Sequence, residues 1–376
     1  MSNTDNCRPT IRLDKDDFFE DHTLSSSSVD ELINPVDDSN IIDDTDSCDF
    51  SRIESPEHNP NSGMFIVRPA NQVVEEAKNR PARSRLFGQL WYEGETCILF
   101  ADTNLGKSIL AVQIADSISS GRPTLGLAMD APAQKVLICD FELSDKQFEK
   151  RYSNVSGGHY QFSPNLLRVE INPDAVDYPE SSSFEDYLKV SLVKIVEEYD
   201  AKVLIIDNIT FLSRENEKAK DALSLMKWLK ALGVKYGLSI LILAHTPKRN
   251  LSNPITRNDL AGSKMIINFC DSSFAIGEST KDPNIRYIKE IKQRNEAFKY
   301  DAGNVIVCEV EKPDTFLQFR FMEYGNESEH LIQAPNTTRE ELVNRAKELS
   351  AQGKTQREIA TELGKSLGTI NNYLNS

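Results

Sequence analysis

The chain has 376 residues, 39% of them hydrophobic and 27% charged, with a formal net charge of −15. That length holds one large domain and a small one with ample core, while the longest apolar runs, such as LSILILA at 238–244, fall far short of the roughly 20 residues a membrane span needs. The opening MSNTDNCRPT lacks the apolar stretch of a secretion signal, and six scattered cysteines without a Cys-x-x-Cys pair argue against a metal cluster or a disulfide framework, so a cytoplasmic protein is expected.

The acidity is local. Residues 1–60 hold sixteen Asp/Glu against four Lys/Arg, which leaves only −3 for the rest of the chain. This Ser-, Asn- and Pro-rich stretch has little to bury, so residues 1–64 read as a disordered tail: a solubilising segment or a docking segment for a protein partner. A nucleic-acid partner for the remainder is therefore not excluded by net charge.

From residue 65 to about 330, strands and helices alternate. Strands are expected at 95–101, 134–142, 166–171, 201–207 and 238–245. Helices are expected at 106–120, 143–152, 184–199 and 218–236. Unbroken apolar strands separated by helices predict a mostly parallel sheet covered on both faces. Four further strands near 272–276, 287–291, 305–310 and 316–322 come without long helices between them and predict antiparallel edge strands. Residues 336–376 read as a separate all-α module with helices at 339–350, 356–363 and 367–374.

The junction of the first strand and helix carries the chemistry. Ala101, Asp102, Thr103, Asn104, Leu105, Gly106, Lys107 and Ser108 follow the G-x-x-x-x-G-K-[ST] pattern, with Ala in the first place. Backbone amides at a helix N-terminus cradle a phosphate. Lys107 reaches the β/γ-phosphates and Ser108 holds Mg²⁺. Only Gly106 needs to be glycine, because the middle side chains point away from the phosphate. VLIID ends in Asp207, the expected acid beside the metal ion, at a strand's C-terminal end where open α/β sheets bind ligands. LICDFELS offers Glu142 as the residue that activates water. Asp140 is an alternative, because strand alternation turns both to the same side.

As an ordered set these motifs resemble the RecA-like P-loop ATPases, and among them the AAA-domain family of RepA- and DnaB-type hexameric helicases, over roughly residues 85–325. The resemblance implies ATP and Mg²⁺ as ligands and Glu142 as catalytic base. It implies that His245, ending LILAH, senses the γ-phosphate. Lys292 and Arg294 (K-x-R) would complete a neighbour's site in a homo-oligomer, such as a hexameric ring. It also implies a DNA-binding loop after the His245 strand. Loop 246–258, with Lys248, Arg249 and Arg257 and no acid, fits single-stranded DNA. The C-terminal module resembles a helix-turn-helix that would read duplex DNA through Ser366, Thr369, Asn371 and Asn372, with Arg357 and Lys365 near phosphates. These implications describe a DNA-processing motor of a plasmid or mobile element. A nucleotide-switched DNA-binding regulator, or an adaptor that loads another helicase, uses the same parts without unwinding.

Overall fold

A computed structural model describes residues 66–173, 184–208, 220–247, 249–260, 266–332 and 339–376. The tail at 1–64 and Lys248 lie outside the described residues. A short helix α1 (Ala70–Lys78) buries no residue, and a hairpin pairs β1 (Arg85–Phe87) with β2 (Trp91–Tyr92). Neither was expected, since both are too short for periodicity to register.

The chain then runs β3 (Thr96–Ala101), α2 (Lys107–Ser120), β4 (Val136–Asp140), α3 (Asp145–Arg151), β5 (Leu166–Val169) and α4 (Phe184–Glu198). It continues through β6 (Val203–Asp207), α5 (Lys220–Tyr236), β7 (Ser239–His245), α6 (Ile266–Phe269) and β8 (Ser272–Glu278). The sheet is completed by β9 (Ile285–Lys292), β10 (Val305–Glu311) and β11 (Gln318–Gly325). Nine strands form one sheet in the order β11-β10-β9-β8-β3-β7-β6-β4-β5. The six strands from β8 to β5 pair in parallel, and β9, β10 and β11 add antiparallel. The expectation for 272–276 is thereby corrected. β8 joins the parallel set, because the chain crosses back over α6 before entering it.

Alternation explains the two-faced core. Leu99, Ile138, Ile205 and Leu241 belong to one buried cluster with α2, while Phe100, Cys139, Ile206 and Ile242 belong to the other with α4 and α5. Successive strand residues point to opposite faces, so a strand covered on both sides must be apolar throughout.

The edge strand β11 reaches the phosphate-loop helix. The Gln113 side chain donates to the Phe319 carbonyl at 2.9 Å and accepts from the Phe319 N–H at 2.8 Å. The Phe319 ring lies against Gly106, whose φ is +92°.

Helices α7 (Arg339–Ala351), α8 (Gln356–Leu363) and α9 (Leu367–Leu374) share a core of their own made by Ala346, Leu349, Ile359, Ile370 and Tyr373. Thr355 and Glu358 form a reciprocal cap at the start of α8. Gly364, at φ +59°, ends it in the left-handed conformation, and Ser366 caps α9.

A methyl group at Gly106 meets two Phe319 ring carbons at 3.0 Å and a backbone conformation that disfavours side chains. Gly106→Ala should cost about 1–3 kcal/mol in denaturant unfolding and weaken nucleotide binding. Wild-type stability together with wild-type affinity would show that the ring does not constrain the loop.

Candidate active site

The loop between β3 and α2 wraps around the Lys107 ammonium, which donates to the carbonyls of Ala101 and Asp102, each at 3.0 Å. Asn104 (φ +64°) and Gly106 provide the left-handed turns that bring loop amides to the helix N-terminus. Lys107 is only 6% exposed. Burial lowers its pKa, while Asp207, Glu142 and Asp102 pull it back up.

The sheet places the other groups. In register, Ala101 of β3 stands beside His245 of β7, and Asp140 of β4 stands beside Asp207 of β6. A cleft of about 230 Å³ at these strand ends is lined by Thr103, Asn104, Gly106, Lys107, Ser108, Ile109, Glu142, Arg151, Asp207 and His245. Five of the residues expected to do chemistry meet in it: Lys107, Ser108, Glu142, Asp207 and His245. The Ser108 hydroxyl bonds the Asp207 carboxylate. Burial nonetheless pushes that carboxyl up to about 6, and neighbouring Glu142 and Asp140 add to the rise.

The choice between Asp140 and Glu142 is made by the end of the strand. β4 stops at Asp140, so alternation does not continue to 142. Asp140 turns toward β5, where it accepts from Arg168 Nε at 3.0 Å and from the amides of Glu142 and Leu143. Its oxygens are committed to holding the turn. Glu142 faces the cleft and is held there by Asn208, whose amide nitrogen bonds Glu142 Oε1 and lies 3.2 Å from His245 Nε2. His245 Nε2 also lies 3.8 Å from Glu142 Oε1. Burial and the Lys107 charge lower the His245 pKa and favour the neutral ring, against the opposing pull of Glu142.

Two residues of the site escaped the sequence reading. Asn208, 4% exposed, follows the VLIID strand. Arg151 ends α3 on the cleft wall, and its buried Nη1 has no hydrogen-bond partner among the described residues. Neither sits in a recognisable spacing, and only the fold brings them to the strand ends.

Other expected residues lie elsewhere. Lys292 Nζ donates to the carbonyls of Ile267 and Cys270, and Arg294 reaches Asp271 Oδ1 at 3.1 Å and the Asn268 carbonyl. Lys292 pairs with Ser273, and the adjacent Ser272 stands beside Cys97, at the strand ends opposite the phosphate loop. Arg249 differs from a solvent-facing loop cation. Its side chain is 5% exposed and its Nε lies 3.3 Å from Asp102 Oδ2. It also bonds the Tyr287 hydroxyl and the Asn253 carbonyl. A guanidinium so enclosed is a brace for the loop rather than a phosphodiester contact. Arg257 is exposed. In α9, Asn371 and Asn372 are exposed, whereas Ser366 caps the helix and the half-buried Thr369 hydroxyl bonds Ser366 Oγ at 2.8 Å. The last two are thus engaged with each other at the start of α9.

A triphosphate with Mg²⁺ fits this donor set. The left-handed loop leaves the backbone open to a phosphate, a Ser hydroxyl and an Asp carboxylate sit together, and the orphaned Arg151 nitrogen lies on the cleft wall. Ser108, with Asp207 behind it, would hold the metal ion, which supplies charge neutralisation at the phosphate oxygens.

A known domain family matches this part of the chain. The model of the AAA domain family matches residues 66–250. No curated protein matches the chain. Among solved structures, a KaiC-like protein from the hyperthermophilic archaeon Pyrococcus horikoshii is similar at 14% identity with a TM-score of 0.40, over 60% of this chain and 90% of that one. The AAA match, over just under half of the chain, and the phosphate loop in its strand–helix frame support a RecA-like P-loop ATPase core. Among the described residues, no helix is long and apolar enough to cross a membrane.

Two predictions follow from the geometry. Asn208→Ala should lower kcat about 10-fold with little change in KM, because it frees Glu142 without touching the phosphate loop; a steady-state rate equal to wild type would remove Asn208 from the mechanism. Asp207→Asn should abolish turnover yet stabilise the metal-free fold. With a folded pKa near 6, above the unfolded value, the native state binds more protons than the unfolded chain between about pH 4 and 6. Stability is thus lost as pH rises through that window. A neutral amide should recover about 1–3 kcal/mol at pH 7, read as a rise in unfolding midpoint without Mg²⁺.

Proposed function

We propose that this ATPase couples Mg²⁺-dependent ATP hydrolysis to DNA binding, as a RepA-like DNA-processing motor of a plasmid or mobile element. The observation that carries the reading is the union in one chain of the five-residue hydrolytic set with a separately cored helix–turn–helix unit at its end. Glu142 takes the proton of the attacking water while Asn208 fixes its carboxylate. Lys107 and Arg151 offset charge on the phosphate oxygens. His245, neutral and 3.8 Å from Glu142, is placed to respond to a change at that carboxylate.

Lys292 and Arg294 serve a neighbouring copy, a reading supported by their position at the strand ends opposite their own cleft. An arginine supplied in trans is generally worth on the order of 10³–10⁵ in rate, so activity rises with assembly into a ring or other homo-oligomer. The C-terminal unit is a helix-turn-helix for duplex DNA. Loop 246–258 contributes Arg257 toward single strands.

A second reading, an ATP-switched DNA-binding regulator that does not unwind, gains from one observation. Loop 249–260 is tied down by buried bonds of Arg249 and Ile255 rather than free to follow a strand.

The test is ATPase rate against protein concentration, alone and with single-stranded or duplex DNA, beside a forked-duplex unwinding assay. Specific activity should climb with concentration and with DNA, and Lys107→Ala should abolish it. Hydrolysis indifferent to both variables would end the motor reading. DNA-stimulated hydrolysis without strand release would select the switch.

A further inference from the structure

The exposed face of α9 has a chemistry that specifies what it reads. We propose that this face recognises A·T base pairs in the major groove, an inference that rests on the DNA-binding role proposed for the C-terminal unit. Leu367, Gly368, Asn371, Asn372 and Asn375 are the exposed residues of α9 and its cap. At about 100° per residue they fall within one arc of roughly 140° on the solvent side of the helix. Ile370 and Tyr373 turn the other way into the three-helix core. Thr369 and Ser366 are occupied with each other at the helix start.

The stripe carries one apolar side chain, no charge and three carboxamides: Asn375 Nδ2 donates to Asn371 Oδ1 at 3.2 Å, while the Asn372 carboxamide has no partner among the described residues. A carboxamide presents a donor and an acceptor together, the complement of adenine N6 and N7 in the major groove. The matching partner for guanine, with two acceptors, is a forked or multiple donor such as Arg or Lys, and the stripe has none. Leu367, 46% exposed at the first turn, offers an apolar surface for the thymine methyl group. Gly368 beside it adds no side chain and leaves the backbone free to approach.

Charge around the stripe suits a duplex rather than a basic protein. No acidic residue occurs between 363 and 376. Arg357 and Lys365, at the α8 start and in the turn, are exposed and make no ion pair among the described residues. The nearby acids are otherwise engaged: Glu358 caps α8, and Glu362 pairs with Lys354 and Arg345. The two free cations hold phosphates, and the amide stripe faces base edges between them.

The test is selection of full-length wild-type protein, with ATP, on a library of randomised duplexes, repeated with Asn371→Ala/Asn372→Ala. Wild type should enrich A·T-containing sites. The double variant should lose about 10-fold or more of that discrimination while keeping its ATPase activity and its salt-sensitive binding to unselected duplex. A parallel probe needs no variant: replacing thymine by uracil in the selected site should weaken binding several-fold through loss of the methyl contact. Enrichment of G·C sites, or sequence-blind binding by wild type, overturns the A·T inference and leaves a DNA-coupled ATPase standing. No duplex binding at low salt, with the unit capturing only protein, overturns both.

Discussion

An ammonium taken out of water must find compensating charge, and Lys107 sets that demand at the centre of the molecule. Wrapped by its own loop and lowered in pKa by burial, it is held in its cationic form by Asp207, Glu142 and Asp102. Those carboxylates are where they are because three different strand ends or turns deliver them. The same burial that makes Asp207 costly to ionise makes it responsive to a metal ion, since any cation arriving beside it relieves a desolvated charge. Catalytic fitness and folding stability are therefore set against each other at one carboxylate.

Asp102 links this centre to the rest of the domain. Its carboxylate receives Thr246 Oγ1 and lies against Arg249, both from the loop after β7. Arg249 contacts the Tyr287 hydroxyl, which bonds Glu327, and the fully buried Glu327 pairs with Lys289 and accepts the Ile255 amide. One run of ionic contacts thus joins the second residue of the phosphate loop to β9 and to the short turn at Glu327–His330. Backbone pairing of Ile332 with Leu251 ties the end of that turn to the same loop. Breaking one partner of a buried pair leaves the other uncompensated. These contacts form a continuous path from the phosphate loop to the segment preceding the C-terminal helices.

What was readable in advance follows the same physics. Strands such as TCILFA and VLIID are legible because two-sided burial forces every residue to be apolar, and the phosphate loop because its strand–helix frame is local. Strand β8 lies inside the parallel set rather than in an antiparallel edge because parallel pairing is a property of the crossover and not of its residues. Asp140 and Glu142 could not be separated by spacing, since the answer lay in where β4 stops. A loop cation is usually exposed, so nothing in the residues around Arg249 announces its burial. Its partners Asp102 and Tyr287 come from distant parts of the chain. Asn208 and Arg151 carry no motif at all and become functional only through the convergence of β6, β7 and α3 on one cleft.

The charge distribution gives a further constraint on how the body meets a polyanion. With most of the −15 confined to residues 1–60, the remainder is close to neutral and exerts no strong long-range pull on DNA. Attraction to DNA would then come from a few local cations without ion pairs among the described residues, such as Arg357 and Lys365, rather than from a diffuse basic field. A near-neutral surface binds unselected DNA weakly, because non-specific affinity is almost wholly electrostatic. It follows that a larger share of any useful binding energy has to come from base-edge contacts or from several copies acting together. The uncharged exposed face of α9, on a small, separately cored unit, fits the proposed division of labour.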